Sequence, residues 1–260
     1  MAEIRDWKLF ETNLGRAGQI PYEVAVLPIG ATEAHNLHLP YGTDTMQVEA
    51  IADTACAQAW SEGARVLLLP AISVGVNENT LGFPWTMSFK PSTILQMLRD
   101  LVSCLEHHGL LKLLILNGHG GNELKPFLRE LFRETRVQIV LVDWWTVDPH
   151  AMQEVFEDAG EHAGEMETSL MLHLRPDLVE MANADEGKAR EPRFTGMKEG
   201  WAWIARPWDV LTTNSGVGNP QASTAEKGEE FLNRCAQRIG ELIVEMANAP
   251  LDDVYPYESD

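Results

Sequence analysis

Runs of consecutive apolar residues alternate with amphipathic stretches along the first two thirds of the chain. Four apolar runs predict buried strands, at residues 24–28, 65–70, 112–116 and 137–142. Apolar residues recur at helical spacing over residues 45–60, 92–108 and 122–134. Strands that are apolar at every position are covered on both faces, as in parallel sheets. The pattern therefore predicts an α/β fold, a three-layer α/β/α sandwich with a mainly parallel central sheet.

The last third of the chain has a less regular pattern. Residues 165–174 predict a short helix, and residues 224–247 predict a long helix with apolar residues at core spacing. Residues 183–221 show no period and are rich in Gly, Pro, Asn, Arg and Trp. We predict a single domain over residues 1–260, with this irregular excursion inside it. The tryptophans of the excursion suit either a pocket or an interface: Trp201, Trp203 and Trp208.

Charge and composition exclude several classes of partner. The net charge is −19, whereas nucleic acids and anionic membranes are bound by clusters of Lys and Arg. No apolar run approaches the roughly 20 residues that span a bilayer, and the N-terminal residues lack the apolar core of a signal peptide. The three cysteines lie in stretches that predict helix, and we expect them to be small buried side chains in a reducing compartment. We therefore expect a cytoplasmic protein that binds neither nucleic acid nor membrane.

The first cluster of possible metal ligands follows the first predicted strand. Glu33, His35 and Asp44 lie within twelve residues of one another in a loop, and a loop can bring them to one point. Sites in open parallel sheets form outside the carboxyl ends of strands. Carboxylates and imidazoles together suit Zn, Mn or Fe(II). The alternative is that both acids are solvated, with Asp44 or Thr45 capping the helix that follows.

Two further clusters carry the same residue types. His119 follows the third predicted strand and has glycines on both sides, which let the backbone turn sharply and other groups approach. Glu165 and Glu167 begin the short predicted helix, just after His162. They are separated by about 200° around the helix, so only one of them can face a site. The other then serves the surroundings of the site or the helix dipole.

The three clusters together resemble the creatininase (creatinine amidohydrolase) family over about residues 20–175. The matching stretches are Leu-Pro-Ile-Gly-x-x-Glu-x-His-x-x-His-Leu-Pro-x-x-Thr-Asp-Thr, Asn-Gly-His-Gly-Gly-Asn and His-Ala-Gly-Glu-x-Glu-Thr-Ser, in this order. The resemblance implies an α/β/α fold, a di-metal centre and hydrolysis of C–N bonds in cyclic or linear amides. It also implies a small-molecule substrate and a homo-oligomer, with hexamers common in the family.

The resemblance also implies roles for the first ligands. Glu33 and His119 would bind one divalent ion and His35 the other, with Asp44 bridging them. We therefore expect two divalent ions per chain, as Zn, Mn or Fe. A hydroxide bound between them would attack a carbonyl carbon, and the second ion would stabilise the developing oxyanion.

The remaining ligand differs from the pattern of creatinine-hydrolysing members. Those members place a glutamate two residues after the histidine of the Gly-rich turn, where this chain has Gly121. The resemblance then assigns the missing carboxylate to Glu165, while Glu167 matches the helix-start glutamate. The predicted catalytic residues are Glu165 and His162, with His162 protonating the leaving group.

Other departures concern the substrate. The family often has Phe-Pro-Gly-Thr in its second strand-to-helix loop, whereas this chain has Trp85 in place of that glycine. Creatininase has a tryptophan shortly before its catalytic histidine, and residues 151–161 contain none, although Trp144 and Trp145 are candidates to compensate. We therefore expect a substrate other than creatinine. Two alternatives stay open: hydrolysis of an oxidised cyclitol by C–C cleavage or ring opening, and a non-catalytic metabolite-binding protein on the same fold.

Overall fold

A computed structural model describes residues 4–258 of the chain. Its strands are β1 (Val24–Ile29), β2 (Val66–Leu68), β3 (Lys112–Asn117) and β4 (Gln138–Asp143). The α-helices are α1 (Leu14–Ala17), α2 (Thr43–Ser61), α3 (Pro91–His107), α4 (Lys125–Leu131), α5 (Pro149–Val155), α6 (Glu165–Leu174), α7 (Thr195–Lys198), α8 (Trp208–Leu211) and α9 (Ala225–Asn248). Short 3-10 turns lie at Trp144–Thr146, Pro176–Leu178, Met181–Asn183 and Pro220–Ala222.

The named strands form a parallel sheet in the order β2-β1-β3-β4. In its centre, Leu114 of β3 pairs with Val26 of β1 on one side and with Val140 of β4 on the other. The chain passes from β1 to β2 on one side, and then crosses to β3 on the other side. The carboxyl ends of β1 and β3 therefore border the crevice at which parallel α/β sheets bind ligands.

Alternate residues of the central strands enter two separate cores. Val26 and Leu114 face helices α2, α5, α6 and α9, whereas Leu27 and Ile115 face α3 and α4. Side chains of successive strand residues point to opposite faces, so a run that is apolar at every position can fill both cores. The predicted three-layer α/β/α sandwich is confirmed.

Two local predictions are wrong. Neither Asp44 nor Thr45 caps α2. The helix begins at Thr43, so its N-cap position is occupied by Gly42, and no side chain makes a capping hydrogen bond there. Asp44 lies in the first turn, and its carboxylate is directed at histidines instead. Cys104 is exposed rather than buried, unlike the other two cysteines.

The excursion contains only short helical turns, yet parts of it are buried. Trp208, Thr212 and Ser215 are each at least nine-tenths buried. We call residues 185–217 the cavity wall, because they border the site described below. Within residues 4–258, no helix is both long and apolar enough to cross a membrane.

Candidate metal centre

The candidate ligands meet at the carboxyl ends of β1 and β3. We call residues 30–44 and 117–122 the strand-end cradle, since they follow directly on these two strands. Gly118 lets the two halves of the cradle approach, because a Cβ there would lie 2.7 Å from Val48 Cβ and 3.1 Å from the Asp44 carbonyl oxygen. The first turn of α2 therefore lies against the turn that carries His119.

Among the described residues, three groups of possible ligand atoms occur, one of which is Glu33, His35 and His162. The other two groups share the Asp44 carboxylate. In the first, His119 Nδ1 lies 3.0 Å from Glu33 Oε1 and 3.2 Å from Asp44 Oδ2. In the second, His35 Nε2 lies 3.0 Å from Asp44 Oδ1, and Glu167 completes a set whose ligand atoms all lie within 4.8 Å of one another. Asp44 belongs to both groups and offers a different oxygen to each histidine.

The two histidine rings are oriented through the nitrogens that face away from the carboxylates. His35 Nδ1 donates to the carbonyl oxygen of Glu33 at 3.1 Å, and His119 Nε2 donates to the carbonyl oxygen of Val76 at 3.3 Å. Histidines that bind metals usually donate their second N–H in this way, which sets the tautomer of the ring. His35 Nε2 and His119 Nδ1 are thereby left for a cation.

The electrostatics of the cluster fit divalent cations. Burial alone would raise the pKa of Glu33, yet neighbouring His119 and His162 hold it at about 2. Burial alone would lower the pKa of His35, yet the Asp44 carboxylate raises it to about 10. Asp44 Oδ2 is buried and has no hydrogen bond of acceptable geometry. Buried, ionised carboxylates of which one oxygen, Asp44 Oδ2, has no hydrogen-bond donor match the donor chemistry of a metal site.

Glu165, which was expected to be a metal ligand, lies outside the groups of possible ligand atoms, and Glu167 lies in one of them instead. The Glu165 carboxylate forms an ion pair with Lys227 of α9 and accepts hydrogen bonds from the backbone N–H groups of Glu157 and Asp158. Two residues on, the side chain of Glu167 projects toward His35. The prediction that Glu165 and Glu167 point in different directions from α6 is correct. The prediction of which one faces the cluster is wrong, because the rotation of α6 about its own axis is set by its contacts with α9.

His162 lies beside the cluster, as its predicted catalytic role requires. Its ring is 4.1 Å from that of His35 between centroids, and its Nδ1 lies 3.8 Å from Glu33 Oε1. Its Nε2 donates to the carbonyl oxygen of Ala34 at 2.8 Å. The rings of Trp208 and His162 lie 5.0 Å apart between centroids, at an angle of 68° to each other.

A cavity of about 1000 Å³ opens over these side chains. Its polar lining includes Glu33, Asp44, His119, His162, Glu167 and Arg206. Its aromatic lining consists of Phe127, Trp144, Trp145, Trp203 and Trp208. Two tryptophans of the excursion therefore line the pocket, whereas Trp201 is exposed and packs on Gly196.

Two residues that support the cluster were missed by sequence reasoning. Thr80 Oγ1 donates to Glu33 Oε2 at 2.8 Å, which fixes that carboxylate. Ser215 Oγ donates to the carbonyl oxygen of Ala34 and accepts the N–H of Asn36, so the cavity wall is joined to the cradle on both sides of His35. Both lie in irregular segments, where no spacing or motif distinguishes them from other hydroxyl residues.

The two asparagines of the Gly-rich turn stabilise it through side-chain hydrogen bonds. Asn117 Oδ1 accepts the N–H of His119 at 3.2 Å. Asn122 donates to the carbonyl oxygen of Gly30 and accepts the N–H of Val76, so it joins both halves of the cradle to the loop after β2. The turn that carries His119 is therefore held by side-chain hydrogen bonds on both sides.

Comparison with known proteins gives related hydrolases. Creatinine amidohydrolase from Pseudomonas putida is 28% identical over 268 residues, covering 92% of this chain and 94% of the relative. A mycofactocin precursor peptide peptidase from Mycolicibacterium smegmatis is 29% identical, covering 83% of this chain and 84% of the relative. A 3-dehydro-scyllo-inosose hydrolase from Thermotoga maritima is 26% identical, covering 85% and 76%.

Solved structures agree with this relationship. A candidate creatinine amidohydrolase from Bacteroides fragilis superposes with a TM-score of 0.88 at 36% identity, covering 95% of this chain and 99% of that one. A manganese form of creatininase superposes with a TM-score of 0.76 at 26% identity, covering 94% and 100%. The family model for creatininase, described as creatinine amidohydrolase, matches residues 11–243. This chain therefore belongs to the creatininase family of hydrolases.

Proposed function

We propose that this protein hydrolyses the C–N bond of a small cyclic or linear amide with two divalent ions, Zn, Mn or Fe, and that its substrate is not creatinine. The observation that carries the proposal is the position of Asp44, which belongs to two of the groups of possible ligand atoms and presents one oxygen to each. Glu33 and His119 would hold one ion with Asp44, and His35 and Glu167 would hold the other. Divalent ions at such a site make water a stronger nucleophile at neutral pH and polarise a carbonyl group.

His162 is proposed to deliver the proton that the leaving nitrogen needs. Its Nε2 proton is engaged by the Ala34 carbonyl oxygen, so Nδ1 is the nitrogen that can take up and release a proton. That atom lies 3.8 Å from Glu33 Oε1, beside the proposed metal ligands. A histidine suits this task because its ordinary pKa lies near neutral pH.

The shape of the cavity supports a substrate larger than creatinine. A volume of about 1000 Å³ is at the upper end of sites for drug-sized ligands, whose typical range is roughly 300–1,000 Å³. The residue that departs from the family's Phe-Pro-Gly-Thr stretch, Trp85, adopts a left-handed φ of +63° and is 86% exposed. The loop after β2 therefore presents this large ring at the surface, outside the cavity lining.

Metal content per chain, measured by plasma mass spectrometry on protein purified without chelators, tests the ligand assignment. We expect about two ions in the wild type, about one in Glu167→Gln and in His119→Ala, and none retained in Asp44→Ala, because only Asp44 serves both ions. Glu165→Gln is the matched control and should keep both ions. The two-ion proposal would be contradicted if the wild type bound one ion, and if Glu167→Gln kept this ion while His119→Ala lost it.

A substrate screen with the metal-loaded protein tests the reaction class. Creatinine, larger lactams, formamides and short peptides should be compared, and we expect turnover of amides other than creatinine. Turnover of creatinine in preference to every larger amide would contradict the substrate proposal without affecting the metal assignment.

The relative from Thermotoga maritima supports a second candidate, the hydrolysis of an oxidised cyclitol. The same carboxylates and imidazoles would serve it, because a ketone carbonyl needs the same polarisation as an amide carbonyl. Turnover confined to oxidised cyclitols would favour this reaction over amide hydrolysis. Metal-loaded protein that binds such compounds without converting any of them would instead favour a metabolite-binding protein.

A further inference from the structure

The carboxylate of Glu165 connects three segments of the chain. One oxygen accepts the backbone N–H groups of Glu157 at 2.9 Å and Asp158 at 3.0 Å. The other forms an ion pair with Lys227, whose ammonium group also donates to the carbonyl oxygen of Ala222 at 2.9 Å. Glu165 is 1% exposed. A buried carboxylate needs such partners, since an unpaired charge in the interior is costly.

The two amide groups that Glu165 holds begin the loop that carries His162, residues 157–164. At the other end of this loop, the N–H of His162 donates to the Val217 carbonyl oxygen at 2.9 Å, and the N–H of Val217 donates back at 2.7 Å. The loop is therefore fixed at its start by Glu165 and near its end by the cavity wall.

The conformation of the loop requires such restraints. Ala163, directly after His162, has a φ of +51°. A left-handed conformation is sterically unfavourable for an alanine, because its Cβ comes too close to the following carbonyl oxygen. Strained residues of this kind persist only where the surrounding structure holds them, and they are frequent at functional sites.

We propose that Glu165, paired with Lys227, is a positioning residue that sets the place of the His162 ring and binds no metal. This inference rests on the proposed role of His162 as the proton donor. A general acid must lie within hydrogen-bond reach of its partner, and a displacement of about 1 Å can reduce turnover about 10²-fold. Glu165 would set the distance between His162 and the leaving group through the hydrogen bonds that it accepts from the Glu157 and Asp158 amides.

Three variants separate positioning from general stabilisation. Glu165→Leu removes both loop hydrogen bonds and the ion pair. Glu165→Gln keeps one oxygen for the two amides and loses the charge. The matched control is Asp53→Leu in α2, because Asp53 likewise accepts from several donors, Trp7 Nε1 at 2.9 Å and Lys8 Nζ at 3.0 Å among them, and does not line the cavity.

The first measurement is hydrogen exchange of the Glu157 and Asp158 amides, which needs no substrate. We expect exchange about tenfold faster or more in Glu165→Leu, as the loss of a hydrogen bond of about 1.4 kcal/mol implies, and a smaller change in Glu165→Gln. Asp53→Leu should leave these amides unchanged. Equal exchange in wild type and Glu165→Leu would overturn the proposal, and if Glu165→Leu does not fold, Glu165→Gln is judged by the same criterion.

The second measurement combines metal content with kinetics on the best amide from the screen. We expect Glu165→Leu to keep both ions and its KM within about threefold, while kcat falls about 10- to 100-fold and Glu165→Gln recovers part of the loss. Loss of an ion in Glu165→Leu, or an unchanged kcat, would overturn the positioning role. A wild type without any amide turnover would instead refute the proposed function, and the exchange result would still decide whether Glu165 holds the loop.

Discussion

The strand-end cradle and the cavity wall border the same cavity, but they are built in different ways. The cradle extends directly from two buried parallel strands, and its candidate ligands Glu33, His35 and Asp44 are each at least 98% buried. The wall has no long element, and Trp203 and Ile204 are 77% and 49% exposed. The cradle therefore takes its rigidity from the sheet, whereas the wall depends on individual contacts with the cradle.

Hydrogen bonds between the cavity wall and its neighbours hold this irregular segment against the site. Ser215 binds the backbone on both sides of His35, and Val217 pairs with His162. Trp208 donates its backbone N–H to the carbonyl oxygen of Asn79 in the loop after β2. The difference predicts separate roles for the two regions: the cradle would hold metal ions, and the wall would shape the substrate space and the surroundings of His162.

The largest expected effect comes from the side chain that contacts both regions. His162→Ala should lower kcat about 10²–10⁴-fold, the usual contribution of a general acid, and should keep both metal ions. Steady-state kinetics and metal analysis check this together. His173→Ala, on α6 and outside the cavity lining, is the control. Unchanged turnover in His162→Ala would remove it from the reaction.

Next in size is a change inside the cradle. In Gly121→Ala the new Cβ would lie 2.3 Å from His119 Nε2 and 2.5 Å from the Val76 carbonyl oxygen, so the hydrogen bond that orients His119 is lost. Loss of such a bond typically costs about 10- to 100-fold in metal affinity, measurable by competition with a chelator. Gly120→Ala is a close control, because a Cβ there meets nothing within 4 Å. Equal affinity in both variants would show that this hydrogen bond does not matter.

A substitution in the cavity wall should have a smaller effect, which changes the kinetics and leaves the metal content unchanged. Trp208→Leu removes the edge contact with the His162 ring, which for aromatic pairs is worth about 0.5–1.5 kcal/mol, or about 2- to 10-fold in kcat/KM. Trp208→Phe keeps a ring at this place and should lose less. Trp201→Leu, at an exposed ring outside the cavity lining, should change neither kinetics nor metal content. Metal loss in Trp208→Leu would contradict the division between wall and cradle.

The smallest effect concerns stability against acid at the junction of the two regions. Burial opposes ionisation of Asp185, yet hydrogen bonds from Asn214, the Gly187 N–H and Asn36 lower its pKa. Its contribution to stability is therefore present above the unfolded-state pKa of about 3.9 and is lost as the pH falls through the lower folded-state value. Asp185→Asn should lower the free energy of unfolding by about 1 kcal/mol at pH 7 and by less near pH 3.5.

Urea unfolding at pH 7, 5 and 3.5 checks this dependence, with Glu186→Gln as the control. The neighbouring Glu186 is exposed and pairs only with Lys188 among the described contacts. The stability difference between wild type and Asp185→Asn should narrow as the pH falls. A difference that stays constant across this range would exclude a role for ionised Asp185.

The strands and the long helices could be predicted because their signal is local. The first predicted strand, 24–28, corresponds to Val24–Ile29, and the predicted helix 165–174 coincides with Glu165–Leu174. Glu33, His35, Asp44 and His119 could be grouped for a related reason. They follow strands whose parallel order brings their carboxyl ends to one edge of the sheet.

The choice between Glu165 and Glu167 could not be made in this way. Their angular separation follows from helix geometry, but which of them faces the cradle depends on how α6 is rotated against α9. Lys227, which pairs with Glu165, lies 62 residues further along the chain. The support from Thr80 and Ser215 likewise depends on segments that meet only in the folded chain.

The sequence by itself determined the alternation of buried strands and amphipathic helices, and with it the sandwich and the position of four candidate ligands at one edge of the sheet. Hydrophobic periodicity is enough to predict the elements, because it acts within each of them. The general placement of sites at the carboxyl ends of parallel strands is enough to group the ligands. Only the tertiary structure decided that Glu167 faces His35, that Glu165 holds the His162 loop, and that the excursion forms a cavity wall. These outcomes depend on side-chain contacts between distant segments, which no local pattern encodes.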